Sequence, residues 1–281
     1  MTQKSITMRR SKYDESINNN LFILNRLDKT LEKSLPQDAH EQPVIRKYMS
    51  MEHARSMIEN NQLYLVKPST WQDPYEPFFT SCFYETSEGK KTYPELFKEP
   101  SDPYCTCFTC GIQNDAQWKV YNNEDDVTVL VCFNAFDLFK ALSNCQHPTY
   151  IGGVNYIPGT WSKLREISDI DKERICKHDK KTILSLLLRK RINYEYEKEI
   201  RLIHLQPKPL DGDTQENHLF LDVPNLSQTI KEIKVDPKAK DNDFEDVKQE
   251  FSAYGITTRR STLNREVKKW KKIDLTNKSN K

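Results

Sequence analysis

The chain has 281 residues, 30% of them charged and 10% aromatic, with 43 Lys and Arg against 41 Asp and Glu and a formal net charge of +2. That length can bury a substantial core as one large domain or two small ones, and the aromatic content excludes wholesale disorder. The near-neutral balance excludes a global electrostatic footprint for nucleic acid or anionic membrane, so binding of either kind would need a local patch.

No apolar run approaches the ~20 residues of a membrane-spanning helix, and MTQKSITMRRSKYDES has no apolar segment of signal-peptide kind, so the expectation is a cytoplasmic protein with no membrane partner. Seven cysteines, an odd number without export features, fit reduced thiols better than a disulfide framework.

From Ser11 to about Leu35, Ile17, Leu21, Leu24, Leu27 and Leu31 recur at helical spacing before Pro36, which predicts one amphipathic helix. LPQDAHEQP then reads as a linker. The expected division is a helical extension and linker over 1–40, a main domain over 41–265 and a basic tail over 266–281. The main domain opens with a strand, VIRKYMS, and a helix, MEHARSMIENN, behind Ser50 as N-cap. LYLV at 63–66 is the next strand, KPSTWQDPYEPFF with its three prolines is mostly loop, and YCTCFT is a strand candidate. A short helix or loop at QWKVYNN precedes VTVLVCF at 127–133, a run suited to a buried central strand. GGVNYI reads as a strand and DKKTILSLLLRKR at 179–191 as a helix. IKEIKVD, FEDVKQEFSAYG and ITTRRSTL then read as strand, helix ending at Gly255, and closing strand. The fold class expected is α+β: a mixed, mostly antiparallel central sheet with flanking helices, plus the N-terminal amphipathic helix.

The chemistry concentrates in NYEYEKEIRLIHL, residues 193–205, whose alternation reads as a strand. Tyr194, Tyr196, Lys198, Ile200 and Leu202 fall on one face, and Glu195, Glu197, Glu199 and Arg201 on the other. Same-face neighbours lie ~7 Å apart, so Glu197 and Glu199 could address one ligand, with Arg201 offsetting part of their repulsion. The plainer reading of such a row is a solvated strand face. Cys105, Cys107 and Cys110 invite a zinc reading, but no second CxxC or HxxxH pair accompanies them, and no metal is expected. Ser-His-Asp, GxSxG, HExxH and Walker patterns are absent from the sequence. In WQDPYE, Asp73 reads as a turn device and Glu76 is open between structure and a cleft mouth. Trp118 and Tyr121, three apart, share a helix face that is more often core than ligand platform.

From about residue 44 to 263 the chain resembles the bacterial domain-of-unknown-function family 2971. The matching pieces are IRKYMSMEHARSMIENNQLYL, PSTWQDPYE, CFT at 107–109 followed by QWKVY, YEKEIRLI, and IKEIKVDPKA, in that order. The arrangement is also loosely similar to the ADP-ribosyltransferase group: a first strand with a basic residue, a mid-domain aromatic and a late strand with E-x-E. That resemblance implies NAD as co-substrate and an unidentified acceptor. It implies Arg46 or Lys47 on the ribose or phosphates, Tyr121 or Trp118 stacked on nicotinamide, Glu199 as the catalytic carboxylate and Glu197 assisting or orienting the acceptor. Tyr48 and Arg201 complete the cofactor-binding set. The competing expectation is a non-catalytic module that recruits a protein or nucleic acid through its acidic strand face and basic ends. Around one concave pocket these residues would support the enzyme; spread over a convex surface, the module.

Overall fold

The computed structural model describes residues 21–24, 43–73, 75–96, 101–122, 126–159, 161–208 and 216–263. Leu21–Ile23 form strand β1, which pairs in parallel with β8 (Thr149–Gly153). The helix expected over 11–35 therefore does not run through these residues. Leu21 and Leu24 are buried, and Phe22 stacks on Tyr150 at 5.0 Å. The open edge of β8 offers them a ladder and an apolar surface, and tertiary pairing overrides the helical spacing. The rest of that stretch, nearly all of the linker, and the basic tail lie outside the described residues.

β2 (Val44–Ser50) leads into helix α1 (Met51–Asn60), where the Ser50 hydroxyl accepts from the His53 N–H as an N-cap and Ala54, Met57 and Ile58 are buried. β3 (Gln62–Val66) follows, then a hairpin of β4 (Phe83–Thr86) and β5 (Gly89–Thr92), then β6 (Ser101–Thr109). Helix α2 (Asp115–Val120) precedes β7 (Thr128–Asn134), which leads into α3 (Ala135–Leu142) and β8. β9 (Asn155–Ile157) pairs in parallel with β10 (Arg189–Arg191), apart from the main sheet. β11 (Glu199–Pro207), β12 (His218–Asp222), β13 (Ile230–Val235), α4 (Asp241–Ser252) and β14 (Thr258–Arg260) complete the order.

Among the described residues ten strands make one mixed, mostly antiparallel sheet in the order β1-β8-β11-β6-β2-β7-β13-β14, with β3 pairing β6 and carrying β12. As its unbroken apolar run predicts, β7 is central and buried on both faces. Val129, Val131 and Phe133 join the core formed with α1, α3 and α4, while Leu130 and Cys132 join a small cluster with Val44, Tyr48 and Trp118 on the opposite face. That second face also carries an apolar layer in which Phe79, Tyr93 and Ile183–Leu188 cover Cys105, Ile203 and Leu205. None of the described helices is long and apolar enough to cross a membrane.

The helix expected over 179–191 is broken into three pieces: an α-helix at Lys180–Ser185, a 3₁₀ turn at Leu186–Leu188, and then β10. Leu186, Leu187 and Leu188 are all buried. Three consecutive buried leucines do not fit a single helical stripe, and the tighter turn delivers the next residues to β9.

Candidate functional site: a charged cleft where the sheet stops pairing

β11 starts two residues later than a continuous strand over 197–205 requires. Its partners set that limit: Glu199 lies opposite Thr109, the last residue of β6, and Ile200 opposite Gly153, the last of β8. Past them one more backbone bond on each side, from the Cys110 N–H to the Lys198 carbonyl at 3.0 Å and from the Val154 N–H to the Glu199 carbonyl at 2.9 Å, ends the pairing. Residues Ile192–Glu197 instead coil as a 3₁₀ segment, closed by Lys198 at φ +45°. The strand expected over 193–198 is thus corrected. Glu195 is exposed and paired with Lys198, outside the acidic row, while Glu197 is folded back toward β10.

The solvated strand face is overturned as well. Glu199 is 4% exposed and Arg201 0%, because the odd-numbered face of β11 lies under the 183–188 layer. Lys190 on β10 places its Nζ 2.6 Å from Glu197 Oε2, 3.0 Å from Glu199 Oε2 and 3.1 Å from Glu76 Oε1. Arg201 donates from Nε to Glu199 Oε1 at 2.7 Å, from Nη2 to Glu199 Oε2 at 3.1 Å and to Glu76 Oε2, and from Nη1 to the Leu187 carbonyl at 2.6 Å. Its guanidinium also lies 4.3 Å from the Trp71 ring centre, within cation–π range. Three carboxylates share two cations, so the fully ionised cluster carries one net negative charge.

The cluster forms one wall of a cleft of about 490 Å³. The opposite wall comes from β2 and β6, which share a single rung, Arg46 opposite Thr109. β6 is rejoined on that side only at Cys105, opposite Val66 of β3. Lys47 fills the gap, donating from Nζ to Thr106 Oγ1 at 2.8 Å and to the Cys107 carbonyl at 3.0 Å, where a neighbouring strand would otherwise stand. Arg46 Nη1 ties β2 to the turn after β6 through the Gly111 carbonyl at 3.0 Å. Tyr48 and Tyr121 stack at 5.4 Å with planes 5° apart, and Trp118 meets Tyr48 edge-on at 5.0 Å. Asp73 accepts from the Tyr75 N–H at 3.0 Å, the turn expected of it, and its second oxygen pairs with Arg191 at 3.1 Å at the rim.

Burial and charge divide the titrating groups. Burial favours the neutral form of Glu199, but Arg201 and Lys190 outweigh it and hold its pKa well below the usual carboxylate range. Glu197 moves the other way: burial raises it, and Lys190 only partly opposes that. Burial works against the charge of Lys190, yet Glu199, Glu76 and Glu197 together hold it above the usual lysine value. Burial lowers Lys47, with only partial opposition from the acidic groups nearby. It raises the Cys107 thiol well above its ordinary range, making that thiol a donor rather than a nucleophile, and it pushes Tyr48 up to about 12.

Of the residues anticipated from sequence, Arg46, Lys47, Tyr48, Tyr121, Glu197 and Glu199 line this one concavity. Trp118 and Arg201 do not. Trp118 is buried behind Tyr48, and Arg201 is sealed behind Glu199. Lys190 was missed because RKR at the end of a predicted helix reads as ordinary complement to the helix dipole. Glu76 joins the cluster rather than standing at the mouth. Two larger hollows, of about 600 and 590 Å³, lie beside the Asp236–Asp243 turn and around Arg189, and neither is lined by Arg46, Glu197 or Glu199.

Fold and site together define an α+β protein with a dipolar cleft at an unzipped seam of its sheet. No family model, curated protein or solved structure matches the chain.

Proposed function

We propose that the cleft binds NAD and cleaves its nicotinamide–ribose bond, as an ADP-ribosyltransferase or NAD glycohydrolase. The observation that carries this reading is the cleft's two poles. Arg46 and Lys47, bonded to backbone carbonyls and a hydroxyl, stand across from Glu197, Glu199 and Glu76, and the Tyr48–Tyr121 stack also lines the space. NAD has the matching pattern: an anionic pyrophosphate, flat rings, and a ribose that turns cationic as nicotinamide departs. A guanidinium suits pyrophosphate through its planar fork of donors. A fixed carboxylate stabilises the oxocarbenium-like transition state electrostatically. At ~4 Å and an effective dielectric near 20 one such interaction is worth ~4 kcal/mol, or about 10³-fold in rate.

The concave gathering of these residues favours this reading over the binding module, which would spread them across a convex surface. The test is nicotinamide release on incubation with NAD, with NAD affinity measured by calorimetry. Release by wild type that falls about 10²–10³-fold in Glu197→Gln or Glu199→Gln supports the proposal. Neither heat of binding nor release at millimolar NAD, with varied acceptors, would end it.

A further inference from the structure

The two carboxylates of the cleft differ in what remains open on them. A carboxylate offers about four acceptor directions. On Glu199, Arg201 Nε takes Oε1, while Arg201 Nη2 and Lys190 Nζ take Oε2. The Glu199 side chain is 5% exposed. Glu197 has one oxygen engaged, Oε2 with Lys190 at 2.6 Å, and among the described residues its Oε1 has no partner. Its side chain is 18% exposed, and its carbonyl is anchored by Thr109 Oγ1 and Gln117 Nε2.

Resting on the NAD-cleaving reading, we infer that Glu197 is the carboxylate that meets the substrate, that it accepts the proton of a hydroxyl or water acceptor, and that Glu199 is its fixed anionic support. Lys190 is the positioning residue between them. Its ammonium donates hydrogen bonds to Glu197 and Glu199 and pairs with Glu76 at 3.1 Å, so its charge is engaged within the cluster and Glu197 is held in place.

In the step that follows, the ribose C1′–N bond breaks and nicotinamide leaves with the electron pair. The acceptor oxygen bonds C1′, and its proton passes to Glu197 Oε1. Nothing is oxidised or reduced, and the proton is later released to solvent. A hydroxyl suits this base because its proton becomes acidic only as the new bond forms. Ammonium and guanidinium acceptors, with pKa values of about 10.4 and above 12, are protonated at neutral pH and so lack the free nucleophilic lone pair that a hydroxyl or water presents. The groups facing Glu197 are Lys190 from β10, Glu199 from β11, Glu76 from the loop before residue 78, Tyr121 after α2, Tyr156 from β9 and Tyr196 on its own segment. Arg46 and Lys47 line the same cleft.

The experiment uses the full chain with NAD in water and in dilute methanol. Wild type is expected to yield ADP-ribose and, with methanol, its methyl glycoside, resolved by mass spectrometry. Glu197→Gln should lose about 10²-fold or more in rate while NAD affinity stays within about threefold. Lys190→Met should move the acid limb of the pH–rate profile upward, because Glu197 then faces Glu199 and Glu76 without the ammonium, and Lys190→Arg should restore part of that shift. A folded Glu197→Gln enzyme at wild-type rate, or an acid limb unmoved in Lys190→Met, overturns the inference. Modification of an arginine peptide in preference to methanol or water overturns the acceptor class. Should wild type neither bind nor cleave NAD, the cleavage reading falls with its acceptor. The division between the carboxylates is then decided by carbon NMR titration, where Glu197 must titrate above Glu199; the reverse order would refute it.

Discussion

Removing the guanidinium at the centre of the charge cluster is the severest single change the structure offers. Arg201→Met keeps most of the side-chain volume but leaves Glu199 and Glu76 with Lys190 as the cation paired with both, and the Leu187 carbonyl without its Arg201 donor. Deleting one partner of a buried ion pair costs ~3–5 kcal/mol, and stranding a buried carbonyl costs ~1–3. The two overlap, so the expected loss is about 4–6 kcal/mol, or a fall in Tm of roughly 10–20 °C for a chain of this size. The loss also depends on pH. Glu199 has a lowered folded pKa, so in wild type its contribution is present above the unfolded value of ~4.3 and is lost as pH falls through the folded one. Without Arg201 the same carboxyl gains stability by taking a proton. The gap between variant and wild type should therefore be widest near neutrality and narrow steadily below about pH 5. Urea unfolding followed by circular dichroism at pH 7 and pH 4 measures both. A loss below about 1 kcal/mol at pH 7, or an equal gap at the two pH values, would refute the account of a buried, mutually dependent cluster.

Two further changes test other parts of the fold. Phe133→Ala empties the middle of the main core, where the ring is fully buried and packs edge-on against Phe108 at 5.8 Å; a loss of ~3–5 kcal/mol in the same unfolding assay is expected, and a loss under 1 would place the core elsewhere. Lys198→Gly relieves the left-handed residue that closes the 3₁₀ segment, at the expense of an exposed pair with Glu195 and added freedom in the unfolded chain. A net gain of up to about 1 kcal/mol is expected, and a measurable loss would mean that the Lys198 side chain does more than its exposure suggests.

Much of the sheet is legible in the sequence wherever one signal dominates. β7 follows from its apolar run, α1 from its stripe and Ser50 cap, and the turn after α4 from Gly255 at φ +70°. The failures share one cause, which is that periodicity reports a preference of the local chain while pairing is decided elsewhere. Leu21–Leu24 carry a helical pattern, but β8 presents an open edge to them. Residues 193–198 carry a strand pattern, but β6 and β8 end at Thr109 and Gly153, and among the described residues the ladder goes no further than one bond from the Cys110 N–H to the Lys198 carbonyl. No property of NYEYEK itself contains that information. For the same reason the buried face of Glu199 and Arg201 was invisible: the residues that cover it, Ile183 to Leu188, read as one amphipathic helix rather than as helix, turn and strand.

The cleft nonetheless gathers six of the residues singled out from sequence, although the geometry that unites them is different. On a continuous strand Glu197 and Glu199 would stand ~7 Å apart as equivalent neighbours, both facing one way. Ending the strand at Glu199 makes them unequal. Glu199 keeps the regular backbone, a place under the apolar layer and two cations that fix its ionisation. Glu197 acquires a coil, an open oxygen and a lysine from another strand. The termination of a ladder thus converts a repeated residue type into two chemical environments. The same economy explains the opposite wall, where the part of β6 that β2 and β3 leave unpaired is met by Lys47. An unpaired stretch of a buried sheet leaves backbone groups to be satisfied by side chains, and the side chains that can reach them here are charged. The polarity of the cleft is in that sense a product of where the sheet stops.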